Sequence, residues 1–305
     1  MPAETKQTER QRGSIAILAL WGIALIFMLI APVAFATRGE VQIARNALAE
    51  SRARLAAEGG TQLGLLQLLH DSQSGPAHFD GTAKIWQQGS TRVAIVIRDE
   101  AGKIDLNLAP LEMIGGLFAA VGAPKEAAAL IACNVVAYRG DTGTDCPQPD
   151  VPQAARLFTV PEQLAEIPGV SEQLYDRVAD DVTVASGASA IDPTVASRDV
   201  LLAIPGATAG MVDAFLETRA ALHDFGSSLD ASLIPPAAAP FLAISPARNF
   251  TISATAATIE GARYRADLQV RLTDRAAQPY QVVAWRTPPV DRGGPAQPTR
   301  TARVP

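Results

Sequence analysis

Residues 14–37 read SIAILALWGIALIFMLIAPVAFAT, and residues 44–69 read ARNALAESRARLAAEGGTQLGLLQLL. The first stretch carries no charged side chain from Ser14 to Thr37. As a helix it would extend ~36 Å, more than the roughly 30 Å hydrocarbon core of a bilayer. The second keeps a helical pattern while turning amphipathic. Val41, Ala44, Leu48, Ser51 and Leu55 recur at spacings of three and four, with Arg45, Glu50, Arg52 and Arg54 on the other faces. Leu63, Leu65, Leu66, Leu68 and Leu69 then form an apolar end that must pack on something. The pattern predicts one long helix, lipid-embedded at its start and half-buried in a globular domain at its end.

Upstream lies the polar leader MPAETKQTERQRG, with Lys6, Arg10 and Arg12 close to the apolar run. The positive-inside rule places that leader in the cytoplasm and the rest of the chain across the membrane. A cleaved signal peptide would end at small residues such as Ala34 and Ala36, and a simple anchor would stay uncut. A third reading is cleavage between Gly13 and Ser14 by a prepilin-type peptidase, which keeps the apolar helix. The helical pattern that continues to Leu69 favours this third reading.

Downstream, TRVAIVIRDE (91–100) alternates Val93, Ile95 and Ile97 and predicts a buried strand, whereas residues 71–90 are turn-rich. FTISATAATIEGARYRADLQVRLT (250–273) and YQVVAWRT (280–287) predict further strands, with a hairpin turn at Glu260–Gly261. Tyr264, Ala266, Leu268, Val270 and Leu272 form one face, and Arg263, Arg265, Asp267, Gln269 and Arg271 the other. The sheet should therefore be antiparallel and wet on one side. Residues 105–240 read as short helices and, flanked by strands, as an insertion into the sheet.

Two echoes occur inside that insertion. IDLNLAPLEMIGGLF, from Ile104, resembles IDPTVASRDVLLAI, from Ile191, and LAEIPGV (164–170) resembles LLAIPGA (201–207). The latter pair is helix-hairpin-helix-like, with a Pro-Gly turn that needs positive φ at glycine. Phosphate-binding hairpins carry a second glycine after the turn. Neither copy has it, and Glu166, Glu172 and Asp213 lie nearby, so structural packing is the preferred reading.

Composition bounds the rest. Hydrophobic residues make up 48% and charged residues 19%, which supports a packed core, and the net charge of −5 speaks against a dedicated nucleic-acid binder. The histidines, His70, His78 and His223, show no ligand pattern, and no GxSxG, P-loop or GxGxxG occurs. No catalytic site is evident. In the loop 139–150, RGDTGTDCPQPD, the carboxylates Asp141, Asp145 and Asp150 could supply hard oxygen ligands to calcium, or form a solvated acidic turn. Cys133 and Cys146 point to a disulfide in an oxidising compartment, although spacing alone does not decide it.

The order of these features resembles the minor pseudopilin K subunit of the type II secretion system, the general secretion pathway protein K family. The resemblance rests on the leader ending Arg12-Gly13, on Ala44–Leu69, on DEAGKIDLNLAP (99–110), on EQLAEIPGV (162–170) and on the late strand carrying Trp285. It implies an α+β fold: a pilin-like long N-terminal helix on a small antiparallel sheet, with a large inserted all-α domain holding the hairpin-like repeats. It divides the chain into a leader (1–13), a transmembrane helix (14–37), its amphipathic continuation (38–70), a first pilin-like part (71–104), the inserted domain (105–240), a second β part (241–286) and a disordered tail (287–305).

The resemblance further implies a non-enzymatic protein, cut after Gly13, at the tip of the secretion pseudopilus, where it initiates or caps assembly. Pilins commonly place a glutamate five residues into the mature chain. Here that position is Leu18, which the resemblance reads as the mark of a subunit with no neighbour ahead of it, since an unpaired carboxylate in the bilayer is costly. The implied partners are other minor pseudopilins, the major pseudopilin, the prepilin peptidase and the inner membrane, with secreted proteins a further possibility and nucleic acid excluded. The implied setting is a single pass through a bacterial inner membrane, with calcium at Asp141, Asp145 and Asp150. The alternative is a membrane-anchored DNA-binding or DNA-uptake protein that uses the hairpin repeats.

Overall fold

The computed structural model describes residues 5–74, 79, 81–141, 146, 156–224, 236–244 and 248–288, without the side chains of 5–16, 29–39, 73–74, 222–224 and 236–237. Helix α1 (Thr5–Ser74) runs through the Gly13–Ser14 position without interruption. Strands β1 (Lys84–Gln88) and β2 (Thr91–Asp99) follow. A 3-10 turn (Glu100–Gly102), β3 (Ile104–Asp105), α2 (Leu111–Ala120) and α3 (Lys125–Tyr138) come next. Beyond them lie a 3-10 helix (Pro161–Glu166), α4 (Glu172–Val178), β4 (Val182–Thr183), α5 (Arg198–Leu202) and α6 (Ala209–Asp224). A last 3-10 helix (Pro236–Phe241) leads to β5 (Asn249–Ala257), β6 (Arg263–Arg275) and β7 (Gln278–Arg286). The expected tail lies outside the described residues from 289 onward.

The five-stranded sheet has the order β1-β2-β5-β6-β7, and every pairing in it is antiparallel. β2 ends where β5 begins, with Asp99 opposite Phe250. The helical excursion therefore leaves and re-enters the sheet at one place. The turn between β5 and β6 falls at Thr258–Ala262, where Gly261 takes φ +90° and its N–H donates to the Thr258 carbonyl. β1 lies within the stretch expected to be turns. Its sequence, KIWQQ, is an exposed edge strand with too few buried positions to show an alternation.

Helix α1 covers one face of the sheet, but not with the stripe its large apolar residues suggest. Val41, Leu48 and Leu55 are exposed, whereas Ala49, Ala53, Ala56, Ala57, Leu65 and Leu68 are buried. Close approach explains the choice. A Cβ on Gly64 would lie 2.6 Å from Ile252 Cγ2, and one on Gly60 would lie 2.8 Å from Val93 Cγ1. Small side chains let the helix settle onto the β-branched residues of β2 and β5, where larger ones would hold it off. Of the leucine-rich end, Leu65 and Leu68 join the core while Leu66 faces out.

The opposite face of the sheet is less wet than expected, because the helical domain stands over part of it. Gln269 is buried, and Arg98 and Arg265 reach across to Asp180 at 3.0 and 3.8 Å. The helical domain has its own apolar core, built around Met113, Leu117, Phe118, Ile131, Leu164 and Val200. Its two IDxxxA segments are structural equivalents. Asp105 accepts from the Asn107 N–H and Asp192 from the Thr194 N–H, each closing a turn that leads into a helix. Each is also held by a short parallel contact, Ile104 beside Val182 and Ile191 beside Leu242.

Candidate assembly surfaces

Among the described residues the first half of α1 packs on nothing. Every described residue from 17 to 28 and from 40 to 48 is exposed, including Leu18 at 71% and the apolar Trp21, Phe27 and Met28. Further along, Leu48 at 51% and Leu55 at 68% continue an outward apolar line on the side away from the sheet. Apolar residues in such a row are costly to leave in water and mark a surface that another body covers. Among the described residues no helix is long and apolar enough to cross a membrane. The expected span at 14–37 includes residues 14–16 and 29–37, whose side chains lie outside the description.

Beneath the helical domain lies a buried polar junction that local sequence patterns do not reveal. Glu100, 2% exposed, accepts from Lys103 Nζ at 2.6 Å and from the Thr183 hydroxyl. Burial alone would push this carboxyl up; the Lys103 ammonium and hydrogen bonds from Lys103, Thr183 and Thr251 reverse that and hold it below its ordinary range. Asp99 beside it is pushed up to about 7, mainly by burial, with the Ala101 N–H opposing and the Asp192 and Glu100 charges adding. Asp181 is raised to about 6, again mainly by burial, against the hydrogen bond it accepts from the Ser197 hydroxyl at 2.6 Å. Asp180, at the rim with more than half its side chain exposed, feels the same push from partial desolvation, but Arg98, Arg265 and Lys103 outweigh it, so that carboxyl is lowered. Arg286 of β7 adds a contact to Glu162 at 3.4 Å. These links seat the helical domain on the sheet in one orientation.

The first hairpin does not present a phosphate site. In it Gly169 takes φ +91°, and a Cβ there would meet Ile131 of α3 at 2.9 Å, so the turn is covered. The N–H groups behind the turn are also engaged locally: the Ser171 side chain accepts from the Leu174 N–H at 3.2 Å.

The remaining sequence-derived residues are dispersed. Cys133 and Cys146 form a disulfide, with Cα atoms 5.6 Å apart, pinning the loop after α3 back onto that helix. Asp141 pairs with Arg139, whose Nε lies 2.7 Å away and whose Nη1 donates to the Leu106 carbonyl. Asp145 and Asp150 lie outside the described residues, as does the side chain of Ser14. Among the described residues no group of three His, Cys, Asp or Glu side chains is placed to hold a metal ion.

Together these features define a pilin-like α+β protein: a long helix laid on an antiparallel sheet, with a helical domain inserted between two neighbouring strands. That is also the fold of a chain in the crystal structure of the GspK-GspI-GspJ complex from the enterotoxigenic Escherichia coli type 2 secretion system, with a TM-score of 0.51 and 15% identity. The match covers 83% of this chain and 99% of that one. No sequence-family model and no curated protein matches the chain.

Proposed function

We propose that this chain is a non-enzymatic minor pseudopilin that sits at the tip of a type II secretion pseudopilus and initiates or caps its assembly. The carrying observation is the apolar front of α1, exposed throughout its described residues 17–28, joined to a sheet interrupted by a bulky helical domain. A filament subunit needs the first feature to pack with its neighbours' helices. The second adds bulk that suits the end of a filament better than its middle. Leu18 supports the tip position, because it offers no carboxylate to the terminal ammonium of a neighbour. The shared fold with a chain from a GspK-GspI-GspJ complex supports other minor pseudopilins as partners.

In this reading residues 14–37 anchor the protein in the inner membrane before assembly, with the globular part in the periplasm. The prepilin peptidase cuts between Gly13 and Ser14. Calcium at Asp141, Asp145 and Asp150 belongs to the proposal only if the ion displaces Arg139 from Asp141. A melting temperature higher in calcium than in chelator keeps it, and an unchanged one removes it.

The test is the intact mass of the protein from its native membrane, with and without the peptidase. Loss of residues 1–13 only when the peptidase is present supports the reading. An uncut chain in both strains, or one cut after Ala36, overturns it. The alternative of DNA uptake is addressed by adding duplex DNA to the full chain: salt-sensitive binding would favour it over the tip role.

A further inference from the structure

The two Pro-Gly hairpins of the helical domain match position by position, yet among the described residues only the first has a side chain seated over its turn glycine. Leu164, Ile167, Pro168, Gly169, Leu174 and Val178 of the first correspond to Leu201, Ile204, Pro205, Gly206, Met211 and Phe215 of the second. In the first, α3 lies across the hairpin. Ile131 sits over Gly169, and Asn134 donates from Nδ2 to the Pro168 carbonyl at 3.1 Å. Ile131 and Asn134 are one turn apart on one helix face. Leu164 and Ile167 are buried, as are Leu201 and Ile204, but Val178 is buried under that cover where its counterpart Phe215 is only half-buried.

Among the described residues the turn of the second hairpin has no such cover. A Cβ on Gly206 would meet nothing among them within 4 Å, and Met211 is 51% exposed where its counterpart Leu174 is half-buried, although Pro and Gly of both turns are exposed. Between α5, α6 and the end of the last 3-10 helix lies an apolar groove of about 360 Å³, lined by Leu201, Ile204, Gly206, Met211 and Phe215 and, across from them, Ala238 and Leu242. Its chemistry is that of the face α3 covers in the first copy: aliphatic walls, a glycine without a Cβ at the closest point and a backbone carbonyl at the turn.

We propose that this groove is the docking site for an amphipathic helix of another protein. The helix would place a branched aliphatic side chain over Gly206 and, one turn later, an amide side chain on the Pro205 carbonyl, as α3 does in the first hairpin. The internal copy specifies the occupant: a helix is what this surface binds where it is already filled. The inference rests on the hairpins alone and goes beyond the pseudopilin reading.

The test uses the full chain, in the nanodisc or buffer that keeps it monodisperse. The probe is a fluorescent peptide of residues 123–139 carrying C133S, which supplies Ile131 and Asn134 in trans. Saturable binding is expected, at least tenfold weaker for Ala214→Glu, which puts a charge on the exposed rim beside Met211. The circular-dichroism melt of that variant should match the parent. No saturable binding, or equal binding to the variant, overturns the proposal. Independently, a photocrosslinker at Met211 in cells should link to a helical segment of a second protein that carries the aliphatic–amide pair. Crosslinks confined to this chain would show the groove filled from within and would also overturn it.

Discussion

Gly64 of α1 sits so close to Ile252 of β5 that a methyl group added to it would fall 2.6 Å from the isoleucine Cγ2. Ile252 is fully buried and β-branched, so it has little freedom to move aside. Gly64→Val should cost about 1–3 kcal/mol through overpacking. Gly59 lies five residues earlier, on the exposed side, with nothing within 4 Å of an added Cβ. Gly59→Ala should stabilise by about 0.5–1 kcal/mol, because alanine restricts the unfolded chain and suits a helix. Thermal melts of the two variants should move in opposite directions, and a similar response from both would contradict the close helix–sheet contact.

The same pair shows where sequence reading stops. Helical periodicity and strand alternation located α1, β2, the β5–β6 hairpin and the short helices of the insertion, because each signal lies within one element. Which face of α1 meets the sheet was not legible. Large apolar residues drew the expected stripe to Val41, Leu48 and Leu55, whereas close approach demands Ala53, Gly60 and Gly64. The polar junction was hidden for a different reason. Glu100 and Thr183, or Arg98 and Asp180, are brought together only by the tertiary fold. Asp99 and Glu100 are adjacent, and successive residues of a strand point to opposite faces. In the structure Glu100 already belongs to the turn after it, and both carboxyls are buried.

Asp99 gives the junction a pH signature. Its carboxyl is raised from 3.8 to about 7 in the folded protein, so the folded state holds a proton that the unfolded state has released. Its stabilising share is full below the unfolded value and is lost as pH rises through about 7. Asp181, raised to about 6, acts in the same direction. Glu100 is lowered and acts in the opposite one: its share is present above its unfolded value of 4.5 and lost as pH falls through the lowered value. Stability should therefore decline between pH 5 and pH 8. Asp99→Asn keeps an acceptor for the Ala101 N–H and cannot ionise. It should recover about 2 kcal/mol at pH 8 with little change at pH 5. Melts at the two pH values check this, and an equal shift at both would exclude Asp99 as the titrating group.

The Cys133–Cys146 bond closes a loop with a sequence separation of 13. Loop-closure entropy for such a span is worth about 3 kcal/mol, and the bond anchors the segment after α3 to the helix that covers the first hairpin. Two readouts follow. The oxidised full chain should show no reactive thiol under denaturing conditions. Cys146→Ser should lower the melting temperature of the helical domain more than that of the α1–sheet unit. Thiols that titrate freely without reductant would contradict the pairing.

The outward residues of α1 separate folding from assembly. Leu48 and Leu55 are more than half exposed and lie away from the sheet, so replacing them removes almost no intramolecular contact. Leu48→Glu and Leu55→Glu should leave the melting temperature within about 1 °C of the parent, as expected of exposed positions that change stability by less than about 0.5 kcal/mol. In a filament these leucines would lie between helices, where a lone carboxylate has no water and no partner. If the proposed tip role holds, each variant should then lose co-purification with minor pseudopilins while its monomer stays folded. Leu68→Ala is the matching control on the buried side. It empties space in the α1–sheet core and should destabilise the monomer by about 2–5 kcal/mol. If the exposed variants assemble normally while the buried one unfolds, the outward line of α1 is a solvated face and the tip role has to rest on another surface.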